Sequence, residues 1–157
     1  MFRHAERENT GSSNPPLSSR GLLQAEKLLE EIDLNVLPRP SKLLSSPKLR
    51  AQQTFLQIQN KLGVEIQILS ELDERHNFES IENFSKRVKR FLNLMETQNG
   101  VQFFVTHLDW IEEALRLIHS DTDLLSERYQ SWLPAQSMEF EIHDRLWVLQ
   151  ATRTCLV

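Results

Sequence analysis

Hydrophobic positions along this chain follow two rhythms, one helical and one of period two, and their order predicts a fold. From Arg20 onward Leu22, Ala25, Leu28, Leu29 and Ile32 recur at helical spacing, with Ser18 or Ser19 available as the N-cap. Residues 42–45 (KLLS) form a short apolar run after Pro38 and Pro40 and read as a strand, and Ser46-Pro47 reads as a helix start with proline in the first turn. Ala51, Phe55, Ile58 and Leu62 make one stripe of that second helix, which Gly63 closes; Val64, Ile66 and Ile68 then alternate with Glu65 and Gln67 as a half-buried strand. The clearest amphipathic helix carries Ile81, Phe84, Val88, Phe91, Leu92 and Met95 and ends at Asn99-Gly100. Residues 101–106 (VQFFVT) read as a strand, His107 follows directly, and Ile111, Ala114, Leu115 and Ile118 continue as a helix. Residues 137–142 and 146–152 read as two strands of a hairpin joined through His143-Asp144-Arg145.

Strands alternating with helices predict an α/β fold, a three-layer α/β/α sandwich with a mostly parallel central sheet and an antiparallel addition at the C-terminal end. No repeat or second domain is visible, so residues 1–157 are expected to form a single domain. This reading puts Arg3-His4, residues 45–50, residues 71–76 and His107 just beyond the C-terminal ends of four strands. That edge is where open α/β sheets bind ligands. Residues 5–18, polar and rich in glycine, serine and proline, read as a loop immediately after His4.

Composition narrows the chemistry. The chain is 39% hydrophobic and 25% charged, as in ordinary globular proteins, and its net charge of -4 provides no global field for nucleic acid or another polyanion. An anionic substrate therefore needs a local basic pocket, and no nucleic acid or membrane partner is expected. The basic run Lys86-Arg87-Val88-Lys89-Arg90 fits a helix and is expected to be a solvated face. Cys155, the single cysteine, builds neither a disulfide nor a thiolate metal site and is expected to pack as a small hydrophobe. His76, His119 and His143 have no metal-ligand spacing and are expected at the surface or as capping groups; Trp110 and Trp132 are expected to pack. With no bilayer-length apolar run and no signal-peptide pattern, the expected compartment is the cytoplasm.

The polar segments form an ordered series. Arg3-His4-Ala5-Glu6 is followed by Pro16-Leu17-Ser18-x-Arg20-Gly21-x-x-Gln24-Ala25, then Ser45-Ser46-Pro47-x-x-Arg50-Ala51-x-x-Thr54, then Leu72-Asp73-Glu74-Arg75-His76, then Val105-Thr106-His107. In this series the chain resembles the histidine phosphatase superfamily, also called phosphoglycerate mutase-like, and among its members it is most similar to the small SixA-type phosphohistidine phosphatases. The resemblance implies that His4 attacks phosphorus and carries the phosphoryl group, that Arg3, Arg50 and His107 hold the phosphate, and that no metal or other cofactor is used. It implies Glu74 as the proton donor, with Glu71 and Asp73 as near alternatives, and a phosphorylated small molecule or phosphoprotein as substrate.

Physical chemistry supports that distribution of roles. Phosphoryl transfer spreads charge over equatorial oxygens, which two guanidiniums and an imidazolium are suited to stabilise. His4 must be neutral to attack, a state that Arg3 and Arg50 favour and that a backbone acceptor on its other nitrogen would fix as one tautomer. His107 is expected to be protonated once the anion is bound. Thr106 is a minor candidate for a hydroxyl in the site.

The chain also departs from the family pattern. Members carry a full hydrophobic strand before the Arg-His pair, whereas only Met1 and Phe2 precede it here, so the expectation is either a start upstream of Met1 or a very short strand. Ala5 stands where many members have glycine, and Asp109 puts a negative charge near the expected anion. The short segment from Glu74 to Ile81 leaves no room for the inserted cap of the mutases, so an open site is expected. The competing expectations are an inert phosphate-binding or interaction protein of the same fold and, less favoured without a lid, a phosphoglycerate-type mutase.

Overall fold

Each central strand sends alternate side chains to opposite faces of a sheet, and the two faces fill separately. A computed structural model describes residues 1–155 and 157. Its elements run β1 (Phe2–Arg3), α1 (Ser19–Asp33), β2 (Lys42–Ser45), α2 (Leu49–Leu62), β3 (Ile66–Ile68), α3 (Ile81–Met95), β4 (Gln102–Thr106), α4 (Leu108–Leu117), β5 (Ser137–His143) and β6 (Leu146–Arg153). The strands form one sheet in the order β3-β2-β4-β1-β5-β6, parallel from β3 to β1 and antiparallel through β5 and β6. Phe2, Leu43, Phe103 and Val105 pack with Ala25, Leu28, Phe55 and Ile58 of α1 and α2. Met1, Leu44 and Phe104 pack on the other face with Val88, Phe91 and Leu92 of α3 and Trp110, Ile111 and Ala114 of α4. Burying each large apolar side chain of these two cores contributes about 1.5–3 kcal/mol relative to exposing it. The result is an α/β/α sandwich.

Several local expectations change when neighbours are present. The second helix starts at Leu49 with Lys48 as N-cap, not at Ser46-Pro47. The Ser46 hydroxyl accepts the Lys48 N–H at 3.2 Å and is otherwise committed to His107, so residues 46–48 form a turn leading into the helix. β3 begins at Ile66, two residues later than the alternation suggests, and as an edge strand it leaves Ile68 exposed. Leu22 and Ile81 are also exposed, because the buried face of α1 is centred on Gly21, Gln24, Ala25, Leu28 and Ile32, and that of α3 begins only at Phe84. Ser18 caps α1, its hydroxyl accepting the Gly21 N–H at 3.0 Å. Gly21 is required there, since a Cβ would lie 1.9 Å from the Glu6 carbonyl oxygen.

The basic run on α3 is not simply a solvated face. Lys86, Lys89 and Arg90 are exposed, but Arg87 is buried, and its guanidinium donates to the carbonyls of Ser70, Glu71, Asp73 and Glu74 at 2.8–3.2 Å and to both carboxylate oxygens of Glu79. Its side chain ties the loop after β3 to the helix. Trp110 is wholly buried and donates its indole N–H to the Glu71 carbonyl at 2.7 Å, fastening the same loop to α4. Cys155 is buried, and burial pushes its thiol pKa up to about 11, so it packs as a neutral thiol.

Candidate active site

Four parallel strands end on the same edge, and the chain beyond them delivers the candidate residues. Arg3 is the last residue of β1, and the His4 N–H donates to the Thr106 carbonyl of β4 at 3.0 Å. Arg50 lies in the first turn of α2, just after β2; Glu74 follows the short 3-10 turn Ser70–Leu72 beyond β3; His107 is the N-cap of α4, directly after β4. All five of Arg3, His4, Arg50, Glu74 and His107 line one open cavity of about 420 Å³. Of the alternatives to Glu74, Glu71 places its carboxylate by the Ser70 hydroxyl, and Asp73 is buried beneath the cavity floor.

The hydrogen bonds settle the tautomers. His4 is buried; its Nδ1–H donates to the Ala5 carbonyl at 2.7 Å, while the Arg50 Nε–H donates to His4 Nε2 at 3.2 Å. Because a guanidinium nitrogen can only donate, Nε2 is unprotonated, and its lone pair accepts the Arg50 hydrogen bond. Desolvation, opposed by the Ala5 carbonyl and reinforced by the Arg50, Arg3 and Arg7 charges, lowers the His4 pKa to about 3. The ring is therefore neutral at physiological pH. His107 lies 5.2 Å from it between ring centroids. Desolvation and then the cationic surroundings, Arg50, Lys48 and Arg3 among them, lower its pKa to about 2, so it is neutral while the cavity holds no anion.

Arg50 organises the centre. Its Nη2 donates to Glu74 Oε2 at 2.7 Å and to His107 Nδ1 at 3.2 Å. Its Nη1 and the Nε of Arg3 are buried without a hydrogen-bond partner among the described residues. Arg3 is anchored by Nη1 donating to the Trp132 carbonyl. An unsatisfied buried donor costs about 1–3 kcal/mol, more when charged, and the two residues that carry these donors also line the same cavity, a cationic lining suited to an anion.

Three contributions escaped the sequence reading. Arg7 lines the cavity, exposed, and its charge helps to keep His4 neutral. Lys48 pairs with Glu74 Oε1 at 3.1 Å, so the carboxylate sits between two cations. Ser46 reaches His107 Nε2 at 2.7 Å. Spacing alone could have flagged only Arg7, three residues after His4; the other two depend on how the loops fold over the sheet edge. The Thr106 hydroxyl is not in the site, since it is buried and donates to the Leu72 carbonyl at 2.6 Å. Asp109 does line the cavity, but its carboxylate accepts the N–H groups of Arg75 and Trp110 at 2.8 and 2.9 Å, which directs its charge to the start of α4. Among the described residues no cluster of three or more His, Cys, Asp or Glu could hold a metal ion.

A mostly parallel α/β sheet that brings two histidines and two arginines to one cavity at the C-terminal edge of its parallel strands is an arrangement suited to phosphate. The chain belongs to the histidine phosphatase superfamily (branch 1), which it matches over residues 1–78, and this superfamily acts on phosphorylated substrates. The matched stretch contains Arg3, His4, Arg50 and Glu74; His107 lies beyond it and is brought in by β4. No curated protein is matched at the level of sequence. Among solved structures, the chain is similar to a candidate α-ribazole-5′-phosphate phosphatase of Escherichia coli, with TM-score 0.74, 20% identity and coverage of 99% of this chain and 95% of that one. It is similar to phosphoserine phosphatase of Entamoeba histolytica, with TM-score 0.71, 17% identity and coverage of 96% and 93%. It is also similar to the protein histidine phosphatase SixA in a complex with tungstate, with TM-score 0.69, 15% identity and coverage of 96% and 92%. At these identities the likeness establishes the phosphoglycerate mutase-like fold.

Proposed function

We propose that this protein is a metal-independent phosphatase that hydrolyses a phosphomonoester or a protein phosphohistidine through a phosphohistidine intermediate on His4. The observation that carries the reading is the juxtaposition, in one cavity, of a neutral His4 unprotonated at Nε2 with the guanidiniums of Arg3 and Arg50, the Arg50 Nε–H being the group that Nε2 must release to attack. Arg3, Arg50 and His107 hold the phosphate oxygens. His4 Nε2 attacks phosphorus, the N–P bond forms and the bond to the leaving group breaks. Glu74, which takes up a proton from solvent or from a monoanionic substrate as the phosphate displaces it from Arg50, gives that proton to the leaving atom; the resulting carboxylate then takes a proton from the water that attacks the phosphohistidine, releasing inorganic phosphate and restoring His4. The contact of Glu74 with Arg50 is one that an incoming phosphate competes for, and its loss turns the carboxyl toward the leaving group. The open cavity, without an inserted cap, suits a large or protein-borne phosphate.

The test is turnover of para-nitrophenyl phosphate in the presence of chelator, comparing wild type with His4→Ala, together with an acid-quenched trap for labelled phosphoenzyme. The expected result is turnover and label in wild type and neither in the variant. An unlabelled, inactive wild type that still binds inorganic phosphate would identify an inert phosphate-binding protein instead.

A further inference from the structure

Behind His107, on the side away from the cavity, lies a buried polar pair to which the phosphatase chemistry assigns no role. The Ser46 hydroxyl is wholly buried and sits 2.7 Å from His107 Nε2 and 3.3 Å from Asp73 Oδ1. It also accepts the Lys48 N–H at 3.2 Å. Asp73 is itself buried, with Oδ1 3.7 Å from His107 Nε2. On the other side of the ring, Nδ1 accepts from Arg50 Nη2 at 3.2 Å and lies 3.9 Å from Glu74 Oε2, both residues lining the cavity.

Donor counting determines this network. Arg50 can only donate, so Nδ1 is the acceptor and the single proton of the neutral ring is on Nε2. A serine hydroxyl has one proton and two lone pairs. The lone pairs receive His107 Nε2–H and Lys48 N–H, and the hydroxyl proton goes to Asp73, leaving no position unfilled. Asp73 is held in turn, Oδ1 accepting the Glu74 N–H at 2.9 Å and Oδ2 facing His76 Nε2 at 2.9 Å.

We propose that Ser46 and Asp73 are a positioning pair for His107: they hold its Nε2–H tautomer, aim Nδ1 at the substrate phosphate, and stabilise the imidazolium formed when that phosphate binds. The inference rests on the phosphatase reading and deepens it. His107 is surrounded by Arg3 at the end of β1 and His4 just after it, Lys48 and Arg50 from the start of α2, and Asp73 and Glu74 from the loop after β3. In the anion-free site burial, and after it the surrounding cations, keep the ring neutral. A bound phosphate reverses that balance: Nδ1 takes one proton from solvent or from a monoanionic substrate, the Arg50 Nη2 contact to Nδ1 gives way, and both donors turn to phosphate oxygens. Asp73 keeps its charge and Ser46 its proton. The Asp73 charge, passed through a hydroxyl with no alternative orientation, is what allows a second positive charge so near Arg3 and Arg50.

Nitrogen-15 NMR of histidine-labelled protein, with inorganic phosphate as probe, tests this directly. In phosphate-free wild type at pH 6 the expected signature is His107 protonated at Nε2 alone; with saturating phosphate both ring nitrogens carry protons. In Ser46→Ala and Asp73→Asn, phosphate affinity at pH 6 should fall about tenfold or more, the effect of losing a hydrogen bond to a charged group. The doubly protonated ring should then appear only at lower pH, while Ser46→Thr, which keeps the hydroxyl, should recover most of the affinity. Protonation at Nδ1 in the phosphate-free wild type overturns the proposal even if the variants fail to fold. Folded variants that match wild type in affinity and His107 protonation also overturn it while leaving the phosphatase reading intact. A wild type that binds no phosphate removes both.

Discussion

At the scale of single residues, the two histidines hold the most distinctive energetic feature of the protein. His4 and His107 are buried neutral, with pKa values lowered to about 3 and about 2 from the ordinary 6.5. On unfolding, each regains the ordinary value and takes up a proton below it. The unfolded state therefore binds more protons than the folded state as pH drops from 6.5 toward 3, and stability falls across that window. Each histidine contributes a slope of at most about 1.4 kcal/mol per pH unit, and the pair about 2.7 kcal/mol. Urea unfolding of wild type and of a His4→Gln/His107→Gln double variant between pH 7 and pH 4 should show the variant losing stability less steeply by about that slope. Parallel curves would mean that the rings are charged in the folded protein.

At the scale of elements, the loop after β3 decides whether Glu74 can meet Arg50. Its backbone carbonyls would otherwise splay into solvent, but Arg87 gathers four of them and pairs with Glu79. Removing that guanidinium leaves a mostly buried Glu79 carboxylate and several carbonyls without donors, a combination expected to cost about 3–5 kcal/mol. Arg87→Ala should thus lower the unfolding midpoint in urea by that amount, and Arg87→Lys should recover only a small part, since an ammonium cannot reproduce the planar fork of donors. Full recovery by lysine would show that charge alone, not the fork, holds the loop. The same logic explains why the sequence reading of residues 86–90 went astray. Helical periodicity identifies which face a residue occupies, and Arg87 lies at the margin of the apolar face beside Val88 and Phe91, where only the neighbouring loop gives a cation buried partners.

At the scale of the whole molecule, the sheet edge gathers Arg3, Arg7, Lys48 and Arg50 around the neutral His4 and His107 although the net charge of the chain is -4. This local concentration of cations is a stability cost that an anion relieves. Inorganic phosphate or tungstate at a hundredfold excess over its dissociation constant should stabilise wild type by about 2.7 kcal/mol, read as a raised unfolding midpoint. The increase should vanish in an Arg3→Ala/Arg50→Ala double variant, even if that variant is the more stable without ligand. An equal rise in both proteins would place the anion elsewhere.

The order of the elements, the α/β class and the ordered series of polar segments from Arg3 to His107 are legible in the chain, because each follows from the periodicity of burial and from local spacing. The stripes at Ala51, Phe55 and Ile58 and at Phe84, Val88 and Phe91 are legible since a helix or strand must bury one face whatever lies against it. The folded arrangement alone shows which ring nitrogen of His4 is unprotonated, that Asp73 lies near His107 Nε2 while Glu74 faces Arg50, and that Asp109 spends its charge on backbone N–H groups. It also decided that Ser46 serves a histidine sixty-one residues away instead of capping a helix. These are matters of donor geometry between segments distant in sequence. A hydrogen bond is set by a few tenths of an ångström and by what else competes for the same lone pair, and no local pattern in a chain encodes that competition.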